Sequence, residues 1–285
     1  MGCYRRAFEN ADETFCAVVG YANDTLTKAN WKSVCSQFLK IGSEDGSDMT
    51  LKDLVPGGEW GNGSDKIKIL TKDATLDFDA VYMPAWADLT AAQKRAVQQK
   101  GRTEANWVAG WYPIVNGSND YTADKNATPL PFGTCVLVRS SATGAYITTN
   151  GEVVQSEDRK IVSELVKAEW KFIGNCTPIA RTLKDFIPGN GWANGSDKIK
   201  ILTTDATLDF DAVYMPTWAD LTAAQKRAVQ QKGRTEANWV AGWYPIVNGS
   251  NDYTADVNST PIVAGAGFLA RSSTTGATIT QPSAL

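Results

Sequence analysis

The sequence contains no histidine. This absence excludes Ser-His-Asp and Cys-His catalysis, zinc or haem held by histidine, and pH switching by imidazole. No Cys-x-x-Cys pair is present, so a cysteine-based zinc site is not expected either. The remaining function classes are those that need no imidazole.

Long apolar runs and clustered positive charge are also missing. No stretch of about 18 apolar residues occurs, so we predict no membrane span. The opening residues, MGCYRRAFENADE, lack the apolar core of a signal peptide. The formal net charge is −3 and the basic residues are scattered, so we predict no nucleic-acid partner.

What the sequence does contain is an internal repeat. The segment from Ser64 to Asp124 returns later in the chain, from Ser196 to Asp256, with only Lys72 and Ala85 changed. At the same offset FLKIG (38–42) falls on WKFIG (170–174), and the segment after the first block matches the one after the second. A fainter copy opens the chain, where GCYRRAF resembles GTCVLVRSS. Repetition at a fixed period means that one folding unit is used twice.

The repeat predicts the domain organisation. Residues 1–24 are expected to form a partial, tail-like segment, residues 25–153 the first unit and residues 154–285 the second. With 285 residues and 43% hydrophobic content, each unit is large enough for its own core.

Local patterns predict a strand-rich unit. KIKIL (66–70) and DFDAVYM (77–83) alternate as half-buried strands do, and NWVAGWYPIV (106–115) is a further strand. TAAQ (90–93) is a capping box that opens a short helix, and NGSND is a turn. The apolar spacing in 31–38, and SEDRKIVSELVKAEW in the second unit, predict an initial helix. Segments 135–138 and 145–148 are expected to form a hairpin. The predicted fold class is β-dominated α+β, two tandem near-identical repeats of period 132, each a small β-sandwich or barrel with one or two short helices.

Five cysteines are too few for a disulfide scaffold. Cys3 and Cys135 occupy matching tail positions, and we expect them to bridge forward to the next unit, with Cys16, Cys35 and Cys176 as candidate partners. The alternative is that all five are buried thiols that pack as small hydrophobes.

Ten tryptophans, four of them at matching places in each unit, allow two interpretations. Core packing is their commoner use, whereas exposed rings beside Asp and Asn suit a sugar-binding groove. Trp86 and Trp218, each between a proline and a helix cap, are the candidates for exposed, sugar-stacking rings.

Acidic and amide residues cluster in three loops of each unit. Calcium binds such oxygens, although no EF-hand spacing occurs and turn chemistry explains the same residues. The candidate calcium ligands are Asp65, Asp73, Asp77, Asp79, Asp197, Asp205, Asp209 and Asp211. Pairs of the kind that a glycosidase uses are also available among Asp73, Asp77, Asp79, Asp88 and Glu104, but each is duplicated and nothing in the sequence selects one pair. We therefore predict no catalytic residues, no enzyme, and calcium as the only candidate cofactor.

Sequons are frequent, which indicates a glycosylated, secreted or cell-surface protein, although the same tripeptides make favourable turns. The acceptors are Asn23, Asn62, Asn116, Asn126, Asn175, Asn194, Asn248 and Asn258.

Two functions from different classes fit these features. The leading prediction is a non-enzymatic extracellular structural protein that assembles head-to-tail with copies of itself into a filament, sheath or surface layer. The alternative is a bivalent, lectin-like module in which two matching weak sites gain avidity on a polysaccharide.

Overall fold

A computed structural model describes residues 2–5, 16–40, 49–70, 76–130, 132–153, 161–202 and 208–282. Within these ranges the chain is β-dominated, with two short α-helices, and all its named strand pairs are antiparallel. The strands of the first half are β1 (Gly2–Arg5), β2 (Cys16–Thr25), β3 (Trp31–Cys35), β4 (Val55–Gly58), β5 (Lys66–Leu70), β6 (Leu76–Met83), β7 (Gly110–Val115), β8 (Ser118–Asn119), β9 (Cys135–Arg139) and β10 (Ala145–Glu152).

The second half repeats most of these elements. Its strands are β11 (Ile161–Glu164), β12 (Trp170–Gly174), β13 (Arg181–Thr182), β14 (Ile187–Pro188), β15 (Lys198–Leu202), β16 (Leu208–Met215), β17 (Gly242–Val247), β18 (Ser250–Asn251), β19 (Pro261–Ile262), β20 (Gly267–Arg271) and β21 (Thr278–Gln281). The α-helices are α1 (Ala91–Gln98) and α2 (Ala223–Gln230). Short 3₁₀ helices span Leu51–Asp53, Trp86–Asp88, Glu104–Asn106, Leu183–Asp185, Trp218–Asp220 and Glu236–Asn238.

Each unit contains one large and one small sheet, and the second unit has a further two-stranded sheet of β13 and β19. The large sheets have the strand orders β3-β9-β5-β6-β7-β8 and β12-β20-β15-β16-β17-β18, and the small sheets have the orders β1-β2-β10-β4 and β11-β21-β14. The inner faces of the two sheets enclose an apolar core, which in the first unit includes Val136 and Ile67 from the large sheet and Ile147 from the small one. The arrangement is sandwich-like, as expected.

The outer face of each large sheet is partly covered by the helix. Thr90 accepts a hydrogen bond from the backbone of Gln93, and the Gln93 side chain accepts one in return from the Thr90 amide, which is the predicted capping box. Val97 of α1 packs against Val81 and Tyr112 of the sheet. Because α1 covers only β6 and β7, it leaves the outer face of β3, β9 and β5 uncovered.

Several local predictions are confirmed and two are wrong. KIKIL, DFDAVYM and the TAAQ helix form as expected, and Asn116 and Gly117 make a turn with positive φ values of 49° and 78°. The initial helix is wrong, because residues 31–35 form strand β3, whose Ser33, Val34 and Cys35 are all buried. In the second unit residues 161–164 are a strand as well, while 154–160 lie outside the described residues.

The expected hairpin of 135–138 and 145–148 is also wrong. Both strands exist, but β9 pairs with β3 and β5 in the large sheet, whereas β10 pairs with β2 and β4 in the small one. The SSATG segment therefore crosses from one sheet to the other.

The structural match between the units follows two offsets. From Leu51–Asp53 onward, equivalent elements keep the offset that aligns Ser64 with Ser196. WKSVC of β3 instead matches WKFIG of β12, at the larger offset that aligns Trp31 with Trp170. The alignment of FLKIG with WKFIG is thus wrong, because the connection from β3 to the first 3₁₀ helix (36–50) is longer than its counterpart in the second unit (175–182).

The N-terminal segment does not mimic a unit's tail. Gly2–Arg5 pairs with β2 at the edge of a small sheet, whereas Cys135–Arg139, its expected equivalent, lies between two strands of a large sheet. The predicted boundary after residue 24 falls within β2, which pairs with β10 of the first unit. Among the described residues, no helix is long and apolar enough to cross a membrane.

The two units meet along the outer edges of their large sheets, through a pair of matched hydrogen bonds. The amide of Cys35 donates to the Gly265 carbonyl at 2.9 Å, and the amide of Gly174 donates to the Gly133 carbonyl at 3.3 Å. Since the donors occupy equivalent positions, as do the acceptors, the contact has approximate two-fold symmetry. Its apolar side chains form one cluster: Cys35, Cys135, Leu137, Ile161, Phe172, Cys176 and Leu269.

Candidate functional site

A concave pocket opens on the outer face of each large sheet, beside the contact between the units. The Trp31 pocket, in the first unit, has a volume of about 460 Å³, and the Trp170 pocket, in the second, about 500 Å³. These volumes suit a small ligand or part of a polymer. The Trp31 pocket is lined by Ala29, Trp31, Ser64, Asp65, Lys66, Lys68, Asp79, Arg139 and Ser141, and the Trp170 pocket by Ala168, Trp170, Ser196, Asp197, Lys198, Lys200, Asp211, Arg271 and Ser273.

Strand register brings the pocket residues together. Arg139 on β9 lies opposite Trp31 on β3 and opposite Lys66 on β5, so all three side chains project from the same face of the sheet. Lys68 lies on that same face, because it follows Lys66 by two residues along β5. Three strands that are distant in sequence therefore place one aromatic ring and three cations side by side.

Two of these cations lie against the ring. Lys68 Nζ is 5.0 Å from the centre of the Trp31 ring and Arg139 Cζ is 5.9 Å from it, within the range of cation–π attraction. Lys68 Nζ also lies 3.1 Å from Asp79 Oδ1. The second pocket repeats the arrangement, with distances of 5.2 Å for Lys200, 5.9 Å for Arg271 and 3.1 Å from Lys200 to Asp211.

The carboxylate of Asp65 forms the floor of the pocket and is occupied by hydrogen bonds. It is buried, and it accepts from the Gly61 amide at 2.8 Å, the Ser140 hydroxyl at 2.5 Å, the Ser141 amide at 2.9 Å and the Ser141 hydroxyl at 2.7 Å. Burial by itself raises the pKa of Asp65, but the hydrogen bonds from Ser140, Gly61 and Ser141 outweigh it and lower the pKa. Asp65 is therefore a fixed anion that holds the loop after β9.

The remaining charge is positive and faces solvent. Lys66 and Arg139 are exposed, and within the described chain Lys66 has no ion-pair partner. Both pocket carboxylates are engaged, Asp65 by its four donors and Asp79 by Lys68. The pocket is thus suited to an anionic group rather than to a cation.

A strained residue closes one side of each pocket. Ala29 has a φ of 64°, a conformation unfavourable for a residue with a Cβ atom, and its amide donates to the Ser140 carbonyl at 2.7 Å. Ala168 repeats this with a φ of 63° and a 2.7 Å bond to Ser272. The same strain, held in the same way in both units, fixes the turn before each pocket tryptophan.

The pocket residues are identical in the two units even where the surrounding strands differ. WKSVC of β3 and WKFIG of β12 share only their first two residues, and CVLVR of β9 and GFLAR of β20 share two of five. The tryptophan and the arginine of the pockets are among those shared positions. All nine residues that line one pocket recur in the other.

The predicted sugar-stacking rings, Trp86 and Trp218, do not line the two pockets. Trp86 is half-buried, packs edge-to-face on Trp107 at 6.4 Å, and has Lys94 Nζ 5.8 Å from its ring centre. Trp218 has the equivalent contacts with Trp239 and Lys226. Sequence reasoning missed Trp31 and Trp170 as pocket residues, although the recurrence of Lys-Ala-x-Trp-Lys in the two units marks them.

The candidate calcium ligands are only partly described. Asp65 and Asp197 are buried and hydrogen-bonded by the loop after β9 or β20, and Asp79 and Asp211 pair with lysines. The side chains of Asp73, Asp77, Asp205 and Asp209 lie outside the described part of the chain. Among the described residues, no group of three or more ligands suitable for a metal ion is found.

Three of the eight sequon asparagines are buried. Asn175 is fully buried and its Nδ2 donates to the carbonyls of Ile179 and Ile262 at 2.8 and 2.9 Å. Asn126 and Asn258 are 7% exposed, and their side chains bond the backbone at the start of β7 and β17. A glycan at these three positions is incompatible with the packing. The other five are exposed or half-buried: Asn23, Asn62, Asn116, Asn194 and Asn248.

The described cysteines are Cys35, Cys135 and Cys176, all buried thiols. The side chains of Cys3 and Cys16 lie outside the described residues. No protein-family model matches the chain, and no curated protein or solved structure matches it either.

Proposed function

We propose that the protein is a non-enzymatic, bivalent binding module for a carbohydrate polymer that carries acidic groups. The observation that carries the proposal is the recurrence of all nine pocket residues in both units. Five of them lie in the near-identical block, and the other four lie in segments whose neighbouring positions differ: Ala29, Trp31, Arg139 and Ser141. Around those four residues the neighbouring positions have changed while the pocket residues have not, which supports use of both pockets.

The charge of the pocket supports an acidic ligand. Each pocket combines three cations with two carboxylates that are already bonded internally. Arg139 and Lys66, or Arg271 and Lys198, are then available for a carboxylate or sulfate group. Because the cations lie against the tryptophan ring, an acidic sugar meets the cations and the ring edge together.

The same contacts support a binding role rather than a catalytic one. A general acid or base must exchange a proton with the substrate, but Asp65 accepts four hydrogen bonds and Asp79 is paired with Lys68. Bivalency supports a polymeric ligand, because two weak sites on one body gain avidity only where the ligand repeats. A net charge of −3 disfavours a polynucleotide.

The test measures retention and affinity on immobilised polyuronate, sulfated glycan and neutral glucan. We expect binding to the acidic polymers, a loss of about 100-fold for Arg139→Gln or Arg271→Gln alone, and loss of binding for the double variant. The matched controls are Lys94→Gln and Lys226→Gln, which remove a cation from a tryptophan outside the pockets. Loss of binding in the controls alone, or no retention on any acidic polymer, contradicts the proposal.

A second proposal is the self-assembling extracellular subunit of a filament, sheath or surface layer. The observation that favours it is that both edge strands of the second small sheet carry exposed apolar side chains, Val162 on β11 and Ile187 on β14. Such edges are sites for strand addition by another chain, although Pro188 limits pairing along β14.

Assembly is tested by light scattering and negative-stain electron microscopy, with and without a calcium chelator. We expect polymers that Val162→Lys weakens, while Val108→Lys, a change at an exposed loop valine, leaves them intact. Loss on chelation alone assigns calcium to the contact. Protein that stays monomeric at high concentration with calcium present contradicts this second proposal.

A further inference from the structure

Three thiols meet at the contact between the units. Cys35 and Cys135 lie opposite each other on β3 and β9, and Cys176 follows β12 of the second unit. All three are at most 1% exposed. A methyl group built on Gly174 would lie 2.2 Å from Cys35 Sγ and 2.4 Å from Cys135 Sγ, so these two sulfurs face the same point.

Cys35 is the central sulfur of the three. Its thiol donates a hydrogen bond to the Asn175 carbonyl oxygen at 3.4 Å, and it lies close enough to Cys135 and Cys176 for both to affect its pKa. Cys176 Sγ donates to the Gly174 carbonyl at 3.2 Å. Contact with Cys135, and then burial, raises the pKa of the Cys35 thiol, so it stays protonated at neutral pH.

The backbone geometry suits a disulfide between Cys35 and Cys135. The Cys35 amide donates to the Gly265 carbonyl, away from Cys135, so the two residues form a non-hydrogen-bonded antiparallel pair. Cα atoms in such pairs are about 4.5 Å apart, within the roughly 4.4–6.8 Å that disulfides span.

We propose that these residues form a thiol–disulfide exchange site in which Cys35 is shared by two alternative bonds, Cys35–Cys135 within the first unit and Cys35–Cys176 between the units. Formation of the first bond consumes one small-molecule disulfide, which is reduced to two thiols and takes up the two protons of Cys35 and Cys135. The thiolate of Cys176 then attacks Cys35, the Cys35–Cys135 bond breaks, and Cys135 leaves as a thiolate that takes up a proton. This second step needs no further oxidant.

The bond between the units has a mechanical consequence. It ties the end of β3 to the residues that follow β12, the strands that begin with Trp31 and Trp170. The relative orientation of the two pockets is then held covalently. Since the thiols are buried and protonated, reaction is slow in the closed protein and proceeds when the contact opens or as the chain folds.

Trypsin separates the three sites, because they fall on the peptides 33–40, 126–139 and 172–181. The protein, carrying Cys3→Ser and Cys16→Ser, is refolded with oxidised glutathione, alkylated and digested without reduction. We expect peptide 33–40 linked to 126–139 and to 172–181. Cys176→Ser should retain only the first link, and Cys135→Ser only the second.

Two outcomes overturn the proposal. One is recovery of all three peptides with alkylated free thiols after oxidation. The other is a Cys135–Cys176 link that forms in Cys35→Ser as fully as the two links form with Cys35 present. Circular dichroism checks that each variant folds, and alanine replaces serine where a variant does not fold.

Discussion

The Ser140 hydroxyl donates a hydrogen bond to the Asp65 carboxylate at 2.5 Å, and the Ser272 hydroxyl donates one to Asp197 at 2.6 Å. The bond joins the loop before β5 to the segment that crosses from the large sheet to the small one. One carboxylate in each unit thus fixes both the crossing between sheets and the floor of the pocket.

Replacement of this carboxylate should destabilise the unit. In Asp65→Asn the side-chain NH₂ group faces hydrogen-bond donors where the carboxylate oxygen accepted from them. We therefore expect the free energy of unfolding to fall by about 3 kcal/mol. The lowered pKa of Asp65 contributes stability that is present above its ordinary pKa and is lost as pH falls through the pKa of the folded state. The stability of the variant should therefore fall less steeply with decreasing pH in the acid range. Urea unfolding at several pH values measures both effects, and Asp88→Asn, an exposed change, is the control. Equal stability of the two variants contradicts the assigned role.

Two buried tryptophans in the first core differ in a single hydrogen bond. Trp111 donates its indole N–H to the Leu54 carbonyl at 3.0 Å, whereas the indole N–H of Trp60 is buried and no residue in the described ranges accepts from it. Both substitutions to phenylalanine remove similar ring area, so Trp111→Phe should cost about 1–2 kcal/mol more than Trp60→Phe. The second unit supplies a replicate, because Trp243 has the bond and no described residue accepts from the Trp192 indole. Equal losses for the two substitutions would show that the bond contributes no net stability.

Alkaline pH should unfold the protein through two tyrosines. Burial, with a smaller effect of the nearby Asp124 or Asp256 carboxylate, raises the pKa of Tyr112 and Tyr244 to about 12. The folded state therefore holds these protons more tightly than the unfolded state, whose tyrosine pKa is about 10. Their contribution to stability is complete below pH ~10 and lost as pH rises towards about 12. Thermal midpoints across this range should fall less steeply in Tyr112→Phe, with the exposed change Tyr21→Phe as control.

Glycan occupancy should separate the sequons by burial. In a host that glycosylates secreted proteins, we expect folded protein without glycans at Asn126, Asn175 and Asn258, because their side-chain amides are bonded inside the units. Glycans, where present, should fall among Asn23, Asn62, Asn116, Asn194 and Asn248. Peptide mass spectrometry after enzymatic deglycosylation in ¹⁸O-labelled water measures the occupancy, and a high occupancy at Asn175 in soluble protein would contradict the packing.

Local signals predicted local structure well. The alternation in KIKIL and the capping box at Thr90 depend on neighbouring residues, and both form as expected. Residues 31–35 were wrongly predicted to be helical because β3 is buried on both faces. Its own core covers one face and the second unit covers the other. Burial on both faces removes the period-two pattern, and a short apolar run then resembles one helical face.

The pocket could not be predicted, because it depends on strand register. Arg139 meets Trp31 and Lys66 only because β9 lies between β3 and β5 in the sheet. The sequence predicted instead that β9 pairs with β10, which would have placed Arg139 elsewhere. Aligning the copies at both of their offsets would have revealed the shared residues, although not that they adjoin.

The contact between the units joins unlike partners. The first unit carries Cys35 and Cys135 where the second carries Gly174 and Gly267, and the added Cβ atoms at both glycines would collide with sulfur. Two first units pressed together would crowd four sulfurs into that space, and two second units would leave it empty. The contact therefore favours a first unit packed against a second unit over two identical units from different molecules. For neighbours so alike in sequence, which are prone to misassembly, this asymmetry disfavours the pairing of two like units.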